Sequence, residues 1–516
     1  MAAQGPPTRG SQATPGSTDF LWGAMQSCEI PSEELVEAPS FRDPSGSVIV
    51  NRHRVLRIVN SEGTRDLKAF LESPAAQRFV TDGQIVGTRS IEADASERFS
   101  FENNSRGLAS DDADAIVVEH DRIPFRNYPY EWPPEMLHAA GVLTLEMADR
   151  LVDDRLGLKD ATPYNILYRG ATPVFVDVLS FEKRDPADPI WLPYAQFVRT
   201  FLLPLLVNKH FGVPMAQIFS GRRDGLEPEE VYRLAGPLKR LTPAFFSLVS
   251  VATWLGKGDP NKSEIYQKKA LKNAEQAKFI LRSLIRRTKR ALMRLEPTCN
   301  VESNWSDYMH TNNYTEAHFL AKDQFVESVF REFVPKSVLD VGCNTGQFSA
   351  SAAKCGASVV AIDTDPVVVG KLWRRAKDEK LDILPLVASL SSPTPAMGWR
   401  NRECPSFLER TRGRFDCVLM LAVIHHLLVT ERVPLSEILD LVADLTTDLC
   451  VVEFIDPADS MFKRLVRGRE SLFAALTQPA FEAACERRFE VVRSQHVDGT
   501  KRWLYLLRKK ATCHVN

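Results

Sequence analysis

The spacing of hydrophobic residues changes twice along the chain and divides it into regions. Residues 41 to about 130 contain short β-prone runs separated by turn residues, such as Ser47–Val50 and Arg54–Val59, and these predict a small sheet. From Pro133 to about Trp254 the apolar residues recur at helical spacing, as in MLHAAGVLTLEMADRLV. From about Val334 onward, short apolar runs alternate with helical patterns, which is typical of a parallel α/β domain.

Polar and basic segments separate these regions. Residues 1–40 are rich in Pro, Gly and Ser, so we predict a disordered tail. Residues 262–295 combine many Lys and Arg with apolar residues at helical spacing, which predicts one long basic helix. Such a helix could contact anionic lipid or RNA, but the acid-rich remainder of the chain favours a connector packed on one domain. We divide the chain into that tail (1–40), an N-terminal α+β domain (41–255), a basic helical connector (256–305) and a C-terminal α/β domain (306–516).

Composition and charge limit the kinds of partner that the protein is expected to bind. The 516 residues include 65 Lys and Arg against 66 Asp and Glu, so the net charge gives no reason to expect nucleic acid or an anionic surface. The nine cysteines are odd in number and lack the spacing of a metal knuckle or redox pair, which favours reduced thiols. We find no secretion signal and no apolar run of the ~20 residues that cross a bilayer. We therefore expect a cytoplasmic protein without a metal knuckle, and its oligomeric state stays open.

The first strand of the C-terminal domain leads into a glycine-containing turn. Ser337–Val341 is β-prone, GCNTG (Gly342–Gly346) follows, and helix-forming residues begin at Gln347. Glycine lets the backbone approach a ligand closely, and a helix N-terminus offers unpaired N–H groups. A second strand ends at Asp363, where an acid can accept both hydroxyls of a ribose. The pattern predicts a pocket for an adenosine-containing ligand.

The sequence VLDVGCNTGQFS, followed by VVAIDTD, resembles the S-adenosylmethionine (SAM)-binding motifs of class I methyltransferases. Asp340 favours this family over dinucleotide-binding proteins, because in the family this acid lies near the methionine amino group. Asn344 stands where the family usually has its middle glycine, and Asn tolerates the left-handed backbone conformation. The resemblance implies that SAM is bound by Asp340, Gly342, Cys343, Asn344, Gly346, Asp363, Thr364, Ser389, Leu390 and Leu421.

Five further apolar runs continue the α/β alternation. They are Ile383–Ala388, Phe415–Leu421, Leu449–Phe454 and the pair Phe489–Val492 and Arg502–Leu507. Five βα units closed by an antiparallel pair match the family's seven-stranded sheet over roughly residues 310 to 510. The predicted fold is thus α/β, with a Rossmann-like seven-stranded class I methyltransferase domain preceded by an α+β domain.

Candidate catalytic residues follow the fourth and fifth strands, where the acceptor belongs. Methyl transfer from a sulfonium is an in-line displacement, so the enzyme must position the acceptor, remove its proton where necessary and exclude water. His425 and His426 could deprotonate a hydroxyl or an amine, although packing on the cofactor or capping a helix is an equal alternative for each. Glu453 is predicted to be catalytic or substrate-binding, because an acid that ends an apolar strand is costly unless used or paired.

Two longer segments resemble one group within the class I methyltransferases. MGWRNRECPSFLERTRGRFDCVLMLAVIHHLL and VVEFIDPADSMF resemble a bacterial group of long methyltransferases related to a rhizobial host-specific nodulation protein. We therefore expect methyl transfer from SAM to a hydroxyl or amine of an unidentified acceptor, taken to be a small molecule. The chain lacks an Asn/Asp-Pro-Pro-Tyr run after position 421, which argues against a nucleobase amine. A non-catalytic SAM-binding scaffold stays open as an alternative.

The N-terminal domain contains a second pattern. Asp160, Asn165 and Asp177 follow the order of the catalytic loop and metal-binding strand of kinase-like phosphotransferases, which this region resembles. The resemblance implies Mg-ATP at these residues and a bifunctional or ATP-regulated protein. Leu158 replaces the usual His, no Gly follows Asp177, and no phosphate loop or strand lysine is evident. A pseudokinase, with the three polar residues in a hairpin network, is the other interpretation.

Overall fold

The computed structural model describes residues 36–37, 43–50, 54–91, 115–255, 270–298 and 316–511. The chain forms two compact units, residues 1–80 with 86–122 and residues 81–85 with 123–516. Most of the predicted tail, and residues 256–269 and 299–305 of the predicted connector, lie outside the described residues. Within the described residues, no helix combines the length and the apolar character that crossing a membrane requires.

The first unit is built on an antiparallel sheet. Its strands are β1 (Val36–Glu37), β2 (Gly46–Val50), β3 (Val55–Val59), β4 (Thr88–Ile91) and β5 (Ile116–His120), in the order β1-β2-β3-β5-β4. Helices α1 (Ser61–Leu71) and α2 (Pro74–Thr81) follow β3. The side-chain oxygen of Asn60 accepts a hydrogen bond from the Gly63 N–H at 2.9 Å and so begins α1. The small sheet predicted for this region is confirmed. It also includes β1, which lies within residues 1–40 and pairs with β2, so the prediction of a disordered tail is wrong for Val36 and Glu37.

The second unit begins with a helical part, residues 123–298. Its first helix, α3 (Pro134–Leu151), agrees with the predicted helical run to within two residues. Two small antiparallel sheets follow it: β6 (Leu156–Leu158) pairs with β9 (Phe181–Lys183), and β7 (Ile166–Arg169) pairs with β8 (Thr172–Phe175). The next helices are α4 (Tyr194–Phe197), α5 (Leu203–Phe211), α6 (Met215–Gly221), α7 (Pro228–Leu234), α8 (Pro237–Arg240), α9 (Pro243–Phe245) and α10 (Val251–Leu255).

The described part of the basic segment is one helix, α11 (Ala274–Arg294), which begins at the capping side chain of Asn273. Its apolar stripe is buried, with Leu281 and Ile285 at its centre. Basic side chains beside the stripe pair with acids of the neighbouring segment: Arg282 lies 2.5 Å from Asp153, and Lys289 lies 2.9 Å from Glu146. Part of its positive charge is therefore compensated within the same unit.

A seven-stranded sheet forms the C-terminal part of the second unit, residues 316–511. Its strands are β10 (Ser337–Val341), β11 (Ser358–Asp363), β12 (Ile383–Val387), β13 (Phe415–Met420), β14 (Thr446–Ile455), β15 (Phe489–His496) and β16 (Arg502–Lys509). The order is β12-β11-β10-β13-β14-β16-β15, and only the pairings that involve β16 are antiparallel. This confirms the predicted seven-stranded α/β domain, although β14 begins three residues earlier than the sequence indicates.

Helices cover the sheet. They are α12 (Glu316–Phe333), α13 (Gln347–Lys354), α14 (Pro366–Asp378), α15 (Phe407–Thr411), α16 (Ile424–Val429), α17 (Leu435–Leu445), α18 (Ser460–Val466) and α19 (Gln478–Cys485). Strand β10 pairs in parallel with β11 on one side and β13 on the other, so the chain order reverses beside β10. In open α/β sheets ligands bind beyond the carboxyl ends of the strands at such a reversal.

Candidate active site

The turn after β10 has the backbone conformation that close contact with a ligand requires. Gly342, Asn344 and Gly346 have φ angles of +70°, +49° and +77°. Asn344 thus adopts the left-handed conformation expected when it replaces a glycine. The N–H groups of Gly342 and Cys343 both donate to the Ile362 carbonyl, at 2.8 and 3.0 Å, so the turn is fixed to the end of β11.

The carboxylate of Asp363 faces this turn. It accepts a hydrogen bond from the Asn344 N–H and another from the Asp365 N–H, both at 3.0 Å. Burial raises the pKa of this carboxyl. The structure therefore brings together two elements that the sequence predicts to share a ligand, the turn and the acid that ends β11.

Asp340 lies inside the sheet, one residue before the end of β10. Its side chain is buried and accepts a hydrogen bond from the Ser349 hydroxyl at 2.5 Å. Burial raises the pKa of Asp340 to about 7, and the nearby charge of Asp363 acts in the same direction. A carboxyl group of this kind gains most from a cationic neighbour, because a positive charge favours its ionised form.

The other predicted cofactor residues lie along the same edge of the sheet. Cys343 is buried, and burial raises the pKa of its thiol. The Ser389 hydroxyl accepts from the Ser391 N–H at 3.2 Å and stabilises the loop that follows β12. Leu390 and Leu421, which follow β12 and β13, are buried, and Thr364 follows β11 directly.

The two candidate histidines lie in the first turn of α16. Their ring centroids are 4.1 Å apart. His425 is buried, and its Nδ1 has no hydrogen-bond partner among the described residues. Burial, then the charges of His426 and Lys322, lower the pKa of His425 well below its usual 6.5, and burial lowers the pKa of His426. Both rings are therefore neutral bases at neutral pH.

This histidine segment touches the glycine turn. A Cβ atom added to Gly342 would lie 2.6 Å from Cγ2 of Val423, the residue before α16. The absence of a side chain at Gly342 therefore lets the turn and the start of α16 pack against each other. The predicted cofactor turn therefore packs against the residue that precedes the helix of the candidate bases.

Glu453 occupies a buried network of charges that the sequence does not reveal. Its carboxylate is fully buried and lies 2.6 Å from the Lys322 ammonium and 3.4 Å from the Arg502 guanidinium. Arg502 also pairs with Asp459 at 3.0 Å. Ion pairs with Lys322 and Arg502 thus compensate the burial of Glu453. An acid at the end of an apolar strand must be used or paired, and here it is paired.

Lys322, Asp459 and Arg502 were missed because their local sequence gives each an ordinary role. Lys322 lies within a helix of mixed polarity, Asp459 caps α18 and Arg502 begins β16. Lys322 and Glu453 are separated by 131 residues, so only the fold brings the two side chains together.

Comparison with known proteins identifies the C-terminal part of the chain. Residues 313–506 match the family model described as "Methyltransferase domain". The match covers the turn after β10 and the seven-stranded sheet except for the last three residues of β16. The matched residues form a methyltransferase domain. The helical part and the first unit lie outside the match.

Individual proteins resemble this chain over different lengths. Nodulation protein NoeA of Rhizobium meliloti (strain 1021) is 29% identical over 476 residues, which are 91% of this chain and 95% of NoeA. The mitochondrial ubiquinone biosynthesis O-methyltransferase of Schizosaccharomyces pombe (strain 972) is 39% identical over 67 residues, 12% of this chain and 22% of that protein. The solved structure of magnesium protoporphyrin IX methyltransferase (ChlM) from Synechocystis PCC 6803, with bound SAH, is 16% identical, covers 40% of this chain and 93% of that chain, and has a TM-score of 0.29.

Outside the methyltransferase domain, the kinase-like residues are partly assembled. The Asn165 amide donates to the Ser180 hydroxyl at 2.9 Å, and that hydroxyl donates to the Asp177 carboxylate at 2.7 Å. Asp160 lies in the loop before this turn. Among the described residues, no group of three or more His, Cys, Asp or Glu side chains is arranged to hold a metal ion. Both interpretations of this motif therefore stay predictions.

Proposed function

We propose that this protein transfers the methyl group of SAM to a hydroxyl or amine of a small-molecule acceptor, and that the N-terminal part of the chain recognises the acceptor. The contact between Gly342 and Val423 carries the proposal, because it joins the predicted cofactor turn to a helix that begins with neutral histidines. A methyl donor and a proton acceptor are the two groups that this reaction needs side by side.

The described residues fit SAM. The Asp363 carboxylate is suited to the ribose hydroxyls, and Asp340 is suited to the cationic amino group because its pKa is raised. We assign Ser389 and Leu390, which follow β12, to the adenine ring, and Cys343, Asn344, Thr364 and Leu421 to the edge of the pocket. SAM would supply an electrophilic methyl group at this edge.

We assign the role of proton acceptor to His426, since it is the more exposed of the two histidines, and a supporting role to His425. The lowered pKa keeps the His426 ring neutral at neutral pH, so a ring nitrogen can take the acceptor's proton. Lys322 helps to lower the pKa of His425, and Glu453 holds Lys322 in place. We propose that Glu453 acts through Lys322 and positions the site.

Binding and turnover test the proposal separately. Calorimetric titration should give saturable SAM binding to the wild type, and Asp363→Ala should weaken it at least tenfold. His426→Ala should retain SAM binding and lose most turnover in an extract of candidate acceptors with labelled SAM. Unchanged turnover in both His425→Ala and His426→Ala would exclude the histidine base. SAM binding without methyl transfer to any fraction would favour the non-catalytic scaffold.

A second candidate function is nucleotide binding by the kinase-like residues. The link from Asn165 through Ser180 to Asp177 brings an amide and a carboxylate together at the end of a hairpin, as both the nucleotide-binding and the pseudokinase interpretation predict. Calorimetry with Mg-ATP should then give heat that Asp177→Asn abolishes. No heat with the intact protein would leave the pseudokinase interpretation.

A further inference from the structure

Helix α14 supports the cofactor turn from one side. A Cβ atom on Gly346 would overlap the Leu372 side chain, so the turn packs directly on this helix. Arg375 donates to the Gly346 carbonyl at 3.4 Å. Asp365, which caps α14, donates its N–H to the Asp363 carboxylate at 3.0 Å. A shift of α14 would therefore move the turn and the ribose-binding acid together.

The opposite side of α14 is bound to the helical part of the same unit. The Trp373 indole N–H donates to the Ala171 carbonyl at 3.0 Å. Arg374 pairs with Glu135 of α3 at 3.1 Å and donates to the Pro297 carbonyl at 2.7 Å. Gly370 also faces Glu135, since a Cβ atom there would lie 2.5 Å from that carboxyl group.

Helical geometry connects the contacts on the two sides of α14. Residues three and four apart share one face of a helix, so Gly370, Trp373 and Arg374 form one face. Leu372 and Arg375 form the neighbouring face, which contacts Gly346. A helix of 13 residues moves as a nearly rigid body, and a change at one face therefore reaches the other.

A second attachment lies beyond β12. The Thr394 hydroxyl donates to Glu131 at 2.6 Å, and Glu131 also forms a buried ion pair with Arg410. Arg410 donates in turn to the Arg126 carbonyl at 2.6 Å. The loop that begins at Ser389 is thus held by the helical part as well, so the helical part is attached both to α14 and to the segment that follows β12.

We infer that Glu135, Trp373 and Arg374 are positioning residues for the cofactor, through which the helical part (123–298) sets the geometry of the SAM turn. This inference rests on the proposed SAM site. Coupling between sites is reciprocal: if the interface positions the turn, SAM binding must also strengthen the interface. If these contacts only held the helical part against the methyltransferase domain, their removal would lower the stability of the protein but would leave SAM affinity unchanged.

Two variants and a matched control test this coupling in the full-length protein. Glu135→Ala removes the partner of Arg374, and Trp373→Phe keeps an aromatic ring while it removes the N–H donor to Ala171. The control, Glu146→Ala, removes an acid of the same helix that pairs with Lys289 of α11 and not with α14. Calorimetry should show that SAM Kd rises about tenfold in each test variant and stays unchanged in the control.

Hydrogen exchange supplies a readout that a purely structural role would not change. SAM should protect backbone amides in the first turns of α3 and near Ala171 in the wild type, and this protection should be lost in Trp373→Phe. Wild-type SAM affinity in both folded variants, or no protection at these amides in the wild type, would overturn the inference. Absence of SAM binding by the wild type would instead overturn the proposed function on which it rests.

Discussion

The ammonium group of Lys322 lies 2.6 Å from the carboxylate of Glu453, and both side chains are buried beside the candidate histidines. Lys322 belongs to α12 and Glu453 to the end of β14, so the pair fixes the first helix of the domain to its central sheet. Breaking such a pair on one side leaves an uncompensated buried charge, which is far more costly than removing both partners.

Glu453→Gln should therefore lower the free energy of unfolding by about 3 kcal/mol, as measured by urea denaturation. The double variant Glu453→Gln, Lys322→Met should recover much of this loss, since it leaves no unpaired ammonium group. Glu327→Gln in the same helix is the control, because Glu327 pairs with an exposed Arg331, and it should change stability by less than about 0.5 kcal/mol. Equal effects of the single and double variants would contradict the account.

Asp340→Asn should stabilise the ligand-free protein and weaken SAM binding. Burial raises the pKa of Asp340 from 3.8 to about 7, so the folded state resists ionisation that the unfolded state accepts. Stability is therefore lost as the pH rises from 3.8 to about 7, and the variant does not share this loss. At pH 8 its free energy of unfolding should exceed that of the wild type by on the order of 1 kcal/mol or more. At pH 4 the two proteins should be nearly equal, and a gain of the same size there would contradict the explanation.

Two glycines with left-handed φ angles separate backbone strain from steric overlap. Gly346 has φ +77° and faces Leu372, whereas Gly413 has φ +58° and no heavy atom near the place of a Cβ. Gly413→Ala should cost about 1–2 kcal/mol from backbone strain alone. Gly346→Ala should cost a further 1–3 kcal/mol or so from overpacking and should weaken SAM binding. If thermal denaturation and calorimetry gave similar losses of stability in both variants, the Leu372 side chain would be able to move aside at little cost.

The sequence predicts the elements of the site better than their connections. Local patterns are sufficient for the turn after β10, the acid that ends β11 and the seven strands, because periodicity and turn residues act over short distances. The pairing of Glu453 with Lys322 and the contact of Trp373 with Ala171 join residues more than 100 positions apart. No local signal marks such contacts, so the ion network and the attachment of α14 emerge only from the fold.

The buried His425 should make stability depend on pH in a definite direction. Its pKa is well below 6.5, mainly because burial disfavours the charged ring. As the pH falls through 6.5 the unfolded state takes up a proton that the folded state refuses, so stability is present above pH 6.5 and is lost below it. His425→Gln removes this titration. Between pH 7.5 and 5.5 the wild type should lose about 1 kcal/mol relative to the variant.

Urea denaturation of both proteins across this range measures the difference directly. Groups that do not interact with the ring titrate in the same way in both proteins, so their contributions cancel in the comparison. Above pH 7.5 the two stability curves should run parallel, because the ring is then neutral in the folded and the unfolded state. Parallel curves down to pH 5.5 would mean that the folded protein accepts the proton as readily as the unfolded chain does. His425 could not then be a buried neutral ring beside the site, and the support that we assign to it for His426 would be lost with it.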